Sequence, residues 1–134
     1  MMRMLKRIDQ TNNLQTYQLH IKIHKDINIR VGRLGQFLFP AGFYIYTGSA
    51  KRGMKNRLAR HISKQKKCHW HIDYLLVNPH TEIIDIKKFT EPECSIHAKT
   101  EGAIIIPGFG ASDCRSKCGS HLLKVPCHSS SSPP

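Results

Sequence analysis

Gly42-Phe43-Tyr44-Ile45-Tyr46-Thr47-Gly48-Ser49-Ala50 runs without a break into Lys51-Arg52-Gly53-Met54-Lys55-Asn56-Arg57-Leu58-Ala59-Arg60-His61. The first half is aromatic and β-branched, the composition of a short strand, and the second is a strongly basic helix. Phe43 and Ile45 point to one side of that strand and Tyr44 and Tyr46 to the other. Gly48 ends the strand and Ser49 suits a helix N-cap, although Gly53 weakens the first turn and moves the start of the helix to about Met54. Met54, Leu58 and Ile62 recur at i, i+4 and i+8 and form the expected buried stripe. Arg57 with His61, and Arg60 with Lys64, lie on adjacent stripes.

Charge marks the same region. Between Asp26 and Asp73 the chain has no acidic residue, while Arg30, Arg33, Lys51, Arg52, Lys55, Arg57, Arg60, Lys64, Lys66 and Lys67 all fall in that window. One-signed clustering of this kind raises a positive potential that attracts polyanions. Lys51, Arg52, Lys55, Arg60 and Lys64 are therefore the expected contacts to a nucleic-acid backbone. A merely soluble basic surface is the bland alternative, but a solvated helix normally mixes both signs.

Upstream, Tyr17, Leu19, Ile21 and Ile23 alternate with Gln18, His20, Lys22 and His24, the period-two pattern of a half-buried strand that leaves His20 and His24 exposed. Lys25-Asp26 then turns the chain into Ile27, Ile29 and Val31, so the two runs read as a hairpin. Gly32, Gly35 and Pro40 punctuate a loop. Downstream, His69 to Leu76 reads as a second helix stopped by Val77-Asn78-Pro79. Glu82 to Phe89 reads as a strand, Pro92 opens a short third helix, and His121 to Val125 is a final strand. The expected architecture is an α/β (α+β) single domain over residues 1–128, with a small, mostly antiparallel sheet flanked by helices. The Ser/Pro tract 129–134 has nothing to bury and is expected to be disordered.

A chain of 134 residues with 40% hydrophobic content, a net charge of +12 and pI near 9.8 fits one small globular domain with a modest core. No secretory leader and no long apolar span are evident, which gives a cytoplasmic expectation. The five cysteines are odd in number and unevenly placed, which argues for reduced thiols. Cys114, Cys118 and His121 have the C-x₃-C-x₂-H spacing of a loose zinc site, with Cys127 as a further ligand; a turn with free thiols fits equally well. His69 and Asp73 are four apart on one helical face, suited to a hydrogen bond or a metal, with His71 directed elsewhere; a structural network is the default reading.

Six pieces of this chain together resemble the GIY-YIG nuclease superfamily. They are Thr-Tyr-Gln-Leu at 16–19, Pro-Ala-Gly-Phe-Tyr-Ile-Tyr-Thr-Gly-Ser-Ala at 40–50, Arg-Leu-Ala-Arg-His at 57–61, His-Trp-His-Ile-Asp-Tyr-Leu at 69–75, Glu-Cys at 93–94 and Gly-Phe-Gly-Ala-Ser-Asp-Cys at 108–114. The resemblance is closest to a small branch of unknown function, found alone or joined to endonuclease III-like glycosylases. It implies tyrosines from two neighbouring strands, an arginine from the first helix and a metal-binding glutamate from a later helix. Carried over by position, these are Tyr46 in Tyr46-Thr47-Gly48, Arg57, His61 one turn later, and Glu93. Gln15-Thr16-Tyr17 stands in place of the first triplet without its leading glycine, which makes Tyr17 the other tyrosine, because Tyr44 and Tyr46 share a strand. The implied partners are nucleic acid, DNA rather than RNA, and a DNA-repair protein. The implied cofactor is Mg²⁺ or Mn²⁺.

The residues alone are sufficient for metal-assisted phosphodiester hydrolysis. Arg57 offers a bidentate cation to phosphoryl oxygens, worth about 2–4 kcal/mol if preorganised. Glu93 suits one hard divalent cation completed by water. A cation beside Tyr17 or Tyr46 is expected to lower the phenol pKa enough for it to accept a proton from water. Each role has a duller counterpart: Tyr46 as a core cap, Arg57 as a backbone-phosphate contact without turnover, and Glu93 as a first-turn carboxylate stabilised by the helix dipole. A non-catalytic nucleic-acid-binding module is the alternative function.

Overall fold

A computed structural model describes residues 14–50, 52–68, 70–106, 109 and 120–125. The chain runs β1 (Thr16–Ile23), β2 (Ile27–Val31), a 3₁₀ turn (Gly32–Leu34), β3 (Gly35–Phe39), β4 (Gly42–Ser49), α1 (Met54–Ile62), α2 (His71–Leu76), β5 (Thr81–Phe89), α3 (Glu93–Lys99) and β6 (Leu122–Val125). Four strands form one antiparallel sheet in the order β5-β1-β4-β6, and β2 pairs with β3 in a separate ribbon. The α+β class expected from the sequence is the one observed. Lys51, His69, Cys114, Cys118, Cys127 and the 129–134 tract lie outside the described residues.

The pairing corrects the expected β1–β2 hairpin. β1 is central, bonded to β4 on one edge and β5 on the other, while the glycine-punctuated segment after β2 folds back as β3. At Gly32 the backbone has φ +49, and a side chain there would meet the Tyr74 phenol at 3.2 Å. A glycine is what lets this tight return lie against α2.

A central strand explains a second correction. Tyr17, Leu19, Ile21 and Ile23 enter the main core with Tyr44, Tyr46, Leu58, Ile72, Leu75 and Leu76. On the opposite face Thr16, Gln18 and His20 are also buried, His20 at 3% exposure. There Gln18 Nε2 donates to Thr47 Oγ1 at 3.1 Å and to Thr100 Oγ1 at 2.7 Å, just after α3. The polar half of the alternation thus meets a second covering layer instead of water. His24, past the strand end, is exposed as expected and lies 2.8 Å from Glu82.

α1 begins at Met54 as expected, but its cap is Gly53 in the left-handed conformation at φ +66, while Ser49 remains in β4. The helix is also rotated from the expected stripe: Leu58 and His61 are buried, whereas Ile62 is 59% exposed. Burial of His61 follows from a partner on the sheet. Among the described residues no helix is long and apolar enough to cross a membrane.

Candidate functional site

β1 and β4 pair so that Tyr17 lies opposite Gly48 and Leu19 opposite Tyr46. Both phenols therefore face α1, with ring centroids 6.5 Å apart. Gly48 leaves room for this arrangement: a Cβ there would stand 2.4 Å from Tyr17 Oη and 2.5 Å from Cζ. Close approach of a ring, and not backbone conformation, is what this position requires.

Tyr17 Oη is 2.7 Å from His61 Nε2, reaching from β1 to the last turn of α1. Tyr46 packs edge-on against the same imidazole at 6.4 Å. Arg57, one turn earlier, donates Nη1 to the Ser49 carbonyl at 2.8 Å and lies 4.5 Å from the Trp70 ring centre. It also acts on the Tyr17 hydroxyl, favouring the ionised phenol. The guanidinium is thereby fixed between the end of β4 and the start of α2, beside both phenols. Trp70 receives a second guanidinium, that of Arg60, at 4.9 Å.

Asp73 anchors this corner. Fully buried, it accepts from Arg60 Nη2 at 2.8 Å and from the Trp70 backbone N–H at 2.9 Å, with Lys66 Nζ 3.8 Å away. The backbone contact is the reach of an N3 carboxylate back to the N-cap, which starts α2 at His71. Asp73 thus takes the structural role that was the default reading of its segment, and His71 packs on Phe109 at 5.6 Å between ring centres.

Glu93 is the first residue of α3, and its Oε2 is 2.6 Å from His121 Nδ1. His97, one turn later on α3, stacks against His121 at 5.0 Å. The Glu93 carboxylate, 27% exposed, is close enough to raise the pKa of both Tyr17 and Tyr46. Tyr17, Tyr46, Arg57 and His61 thus converge from β1, β4 and α1, while Glu93, paired with His121, reaches the two phenols through its charge.

Burial decides the protonation states here, against the expectation that a nearby cation would bring a phenol toward neutrality. Desolvation pushes Tyr17 up to about 12, outweighing the lowering influence of Arg57. Burial likewise drives Tyr46 well above the usual phenol value. His61 is lowered to about 4, first by burial and then by the Lys66 charge. At neutral pH the site therefore holds two neutral phenols, a neutral imidazole and the Arg57 cation.

The expected phosphate contacts divide. Arg52 and Lys55 are exposed. Arg60 is engaged by Asp73 and by the Lys67 carbonyl at 2.8 Å. Lys64 donates to the carbonyls of Leu76, Asn78 and Thr81 at 2.7, 2.8 and 2.6 Å, closing the end of α2. Buried Lys66 donates to the carbonyls of Arg60 and His61. Sequence reasoning counted these cations by sign and did not see that carbonyls and Asp73 claim several of them. It also missed Trp70, Gly48 and His121 as supporting groups. The Trp70-x-x-Asp73 spacing was the available signal for the first.

No group of three or more His, Cys, Asp or Glu side chains suited to a metal occurs among the described residues. One carboxylate with an exposed flank fits a hard cation that keeps most of its water, not a closed zinc cage. Cys68 is a free thiol.

A comparison with curated proteins and with solved structures finds no match. A family described as a domain of unknown function, DUF123, matches residues 16–132. That span takes in every strand and helix described above, and the chain belongs to the DUF123 family.

Proposed function

We propose that this protein is a GIY-YIG-type nuclease that hydrolyses nucleic-acid phosphodiester bonds with Mg²⁺ or Mn²⁺, acting on DNA in the cytoplasm in a repair setting. The observation that carries the reading is the convergence of Tyr17, Tyr46, Arg57 and His61 on one hydrogen-bonded Tyr17–His61 pair, with the Glu93 charge near enough to act on both phenols. Exposed Arg52 and Lys55, at the entry to α1, supply backbone contacts on the approach.

Arg57, held by the Ser49 carbonyl and Trp70, directs its remaining N–H groups at a phosphoryl oxygen. The Tyr46 hydroxyl adds a neutral donor, because its proton is firmly held. The proton of the attacking water passes to the Tyr17 oxygen as the Tyr17 proton moves to His61 Nε2. No free phenolate forms, and the net acceptor is the neutral imidazole. The water oxygen bonds to phosphorus, the ester bond breaks, and the leaving oxygen takes a proton from solvent. Glu93, oriented by His121, would hold the divalent ion, which would supply charge neutralisation at the phosphoryl group.

The test is incubation with labelled duplex, single-stranded and branched DNA and RNA, with and without Mg²⁺ or Mn²⁺, using the wild type, Glu93→Ala and Arg57→Ala. The reading expects metal-dependent cleavage that Glu93→Ala abolishes with binding retained. Arg57→Ala should lose cleavage and bind less tightly as salt rises. The raised phenol pKa values favour a second reading, a non-catalytic nucleic-acid-binding module. That module would bind the same panel and cut none of it.

A further inference from the structure

We infer that the outward face of the β2–β3 ribbon is a second nucleic-acid contact, which enters the major groove of B-form DNA and makes duplex DNA the partner of this protein. The inference rests on the nucleic-acid binding in the proposed function and not on cleavage.

The ribbon stands apart from the main sheet and has two unlike faces. Ile27, Val31 and Phe39 belong to the core with Ile72, Leu75 and Leu76, and Ile29 and Phe37 pack against it. On the other face Arg30 is opposite Gln36 and Asn28 is opposite Leu38, all four exposed. Arg33, in the 3₁₀ turn at the tip, is exposed as well.

Availability and chemistry together select the occupant. Among the described residues the side chains of Asn28, Arg30, Arg33 and Gln36 make no hydrogen bond or ion pair. Asp26, at the far end of the ribbon, already accepts from the Ala41 N–H at 2.8 Å, and no acidic residue follows it until Asp73. The face is therefore cationic and polar without an internal counter-charge. Arg takes guanine O6 and N7 with two hydrogen bonds at once, and Asn or Gln does the same with adenine N6 and N7. Leu38, 55% exposed, is an apolar group that suits a thymine methyl. Cations alone would serve a phosphate chain or an acidic protein; amides beside them answer the mixed donors and acceptors of a groove.

Shape agrees with this choice. Two strands about 4.8 Å apart, with their side chains, fit a major groove about 12 Å wide. The A-form major groove of duplex RNA is too deep and narrow for side chains to read.

The ribbon is also fixed relative to the candidate site. At its open end Phe39 packs edge-on against Phe109 at 6.2 Å, and Phe109 against Tyr46 at 6.3 Å. At its tip Gly32 lies against Tyr74, one turn along from Trp70 and the Arg57 guanidinium. One packed framework thus carries both the groove contact and the phosphate contact.

Fluorescence anisotropy in EDTA, which removes metal and with it cleavage, tests this on a labelled DNA duplex, the matching RNA duplex and the single strand. The Arg30→Ala/Gln36→Ala double variant, its fold checked by circular dichroism, should bind the DNA duplex on the order of tenfold more weakly. Its binding to the other two probes should change by less than about twofold. Arg30→Lys keeps the charge but not the two-point contact, and should weaken duplex binding at an unchanged salt slope. Methyl green, which fills the major groove, should compete with the wild type, whereas netropsin, in the minor groove, should not. A double variant that binds the DNA duplex like wild type overturns the inference. So does an equal loss on all three probes, the mark of an ordinary phosphate contact, or competition by netropsin alone. In each of those cases a weaker Lys55→Met protein on every probe leaves the proposed function standing, while a wild type that binds no probe overturns both.

Discussion

Adding one methyl group at Gly48 should disable the Tyr17–His61 pair while leaving the fold in place. In Gly48→Ala the new Cβ would stand 2.4, 2.5 and 2.9 Å from Oη, Cζ and Cε1 of Tyr17. Ordinary contact requires about 3.5 Å, so the ring must retreat by roughly 1 Å from a site where it is 1% exposed. That retreat carries a 2.7 Å hydrogen bond past the useful limit. Overpacking of this kind costs about 1–3 kcal/mol and the lost buried hydrogen bond about 1 more, a total of about 2–4 kcal/mol. For a chain of this length the Tm should fall by about 6–20 °C. The assay is a double-mutant cycle by urea unfolding with Tyr17→Leu. Once the phenol is gone, Gly48→Ala should cost less than about 0.5 kcal/mol, leaving a coupling of about 2 kcal/mol or more. A Gly48→Ala protein as stable as wild type, or a cycle that is simply additive, refutes the close-approach argument.

Stability should depend on pH through His61: its folded value near 4 lies below the ordinary 6.5, so the unfolded chain binds the proton first as pH falls. Stability is then full above about pH 6.5 and drops by about 3 kcal/mol by pH 4, and a His61→Asn protein should lack that slope in urea titrations at both pH values. Tyr17 acts at the other end, where its value near 12 exceeds the ordinary 10, so its contribution is lost as pH rises from about 10 toward 12 and a Tyr17→Phe protein should lack that loss. Asp73→Ala leaves Lys66 and Arg60 without their carboxylate and should cost about 3–5 kcal/mol, read as a lower urea midpoint; a loss under about 1 kcal/mol would mean the network adds nothing net. Lys64→Met should destabilise by about 1–3 kcal/mol with an unchanged salt slope for nucleic-acid binding, whereas Lys55→Met should reduce that slope by about 1 without affecting stability.

Where local pattern and tertiary surroundings agreed, the elements were legible in advance. The Phe43 to Thr47 strand, the start of α1 at Met54, the strand ending at Phe89 and the short helix after Pro92 all appear. Tyr17 and Tyr46 stand on neighbouring strands, Tyr17 opposite Gly48 and Tyr46 opposite Leu19.

The sequence by itself determined the α+β class and the one-signed charge around α1, because strand alternation, helix periodicity and residue chemistry are local properties. Only the tertiary structure decided what β1 pairs with, and so whether His20 meets water or a second layer. It also decided that α1 turns His61 inward and Ile62 outward, that Asp73 and backbone carbonyls take up cations counted as free, and that burial outweighs Arg57 at the phenols. Those outcomes depend on neighbours distant in the chain: desolvation and hydrogen-bond partners are set by what packs against a side chain, which no spacing along the sequence records.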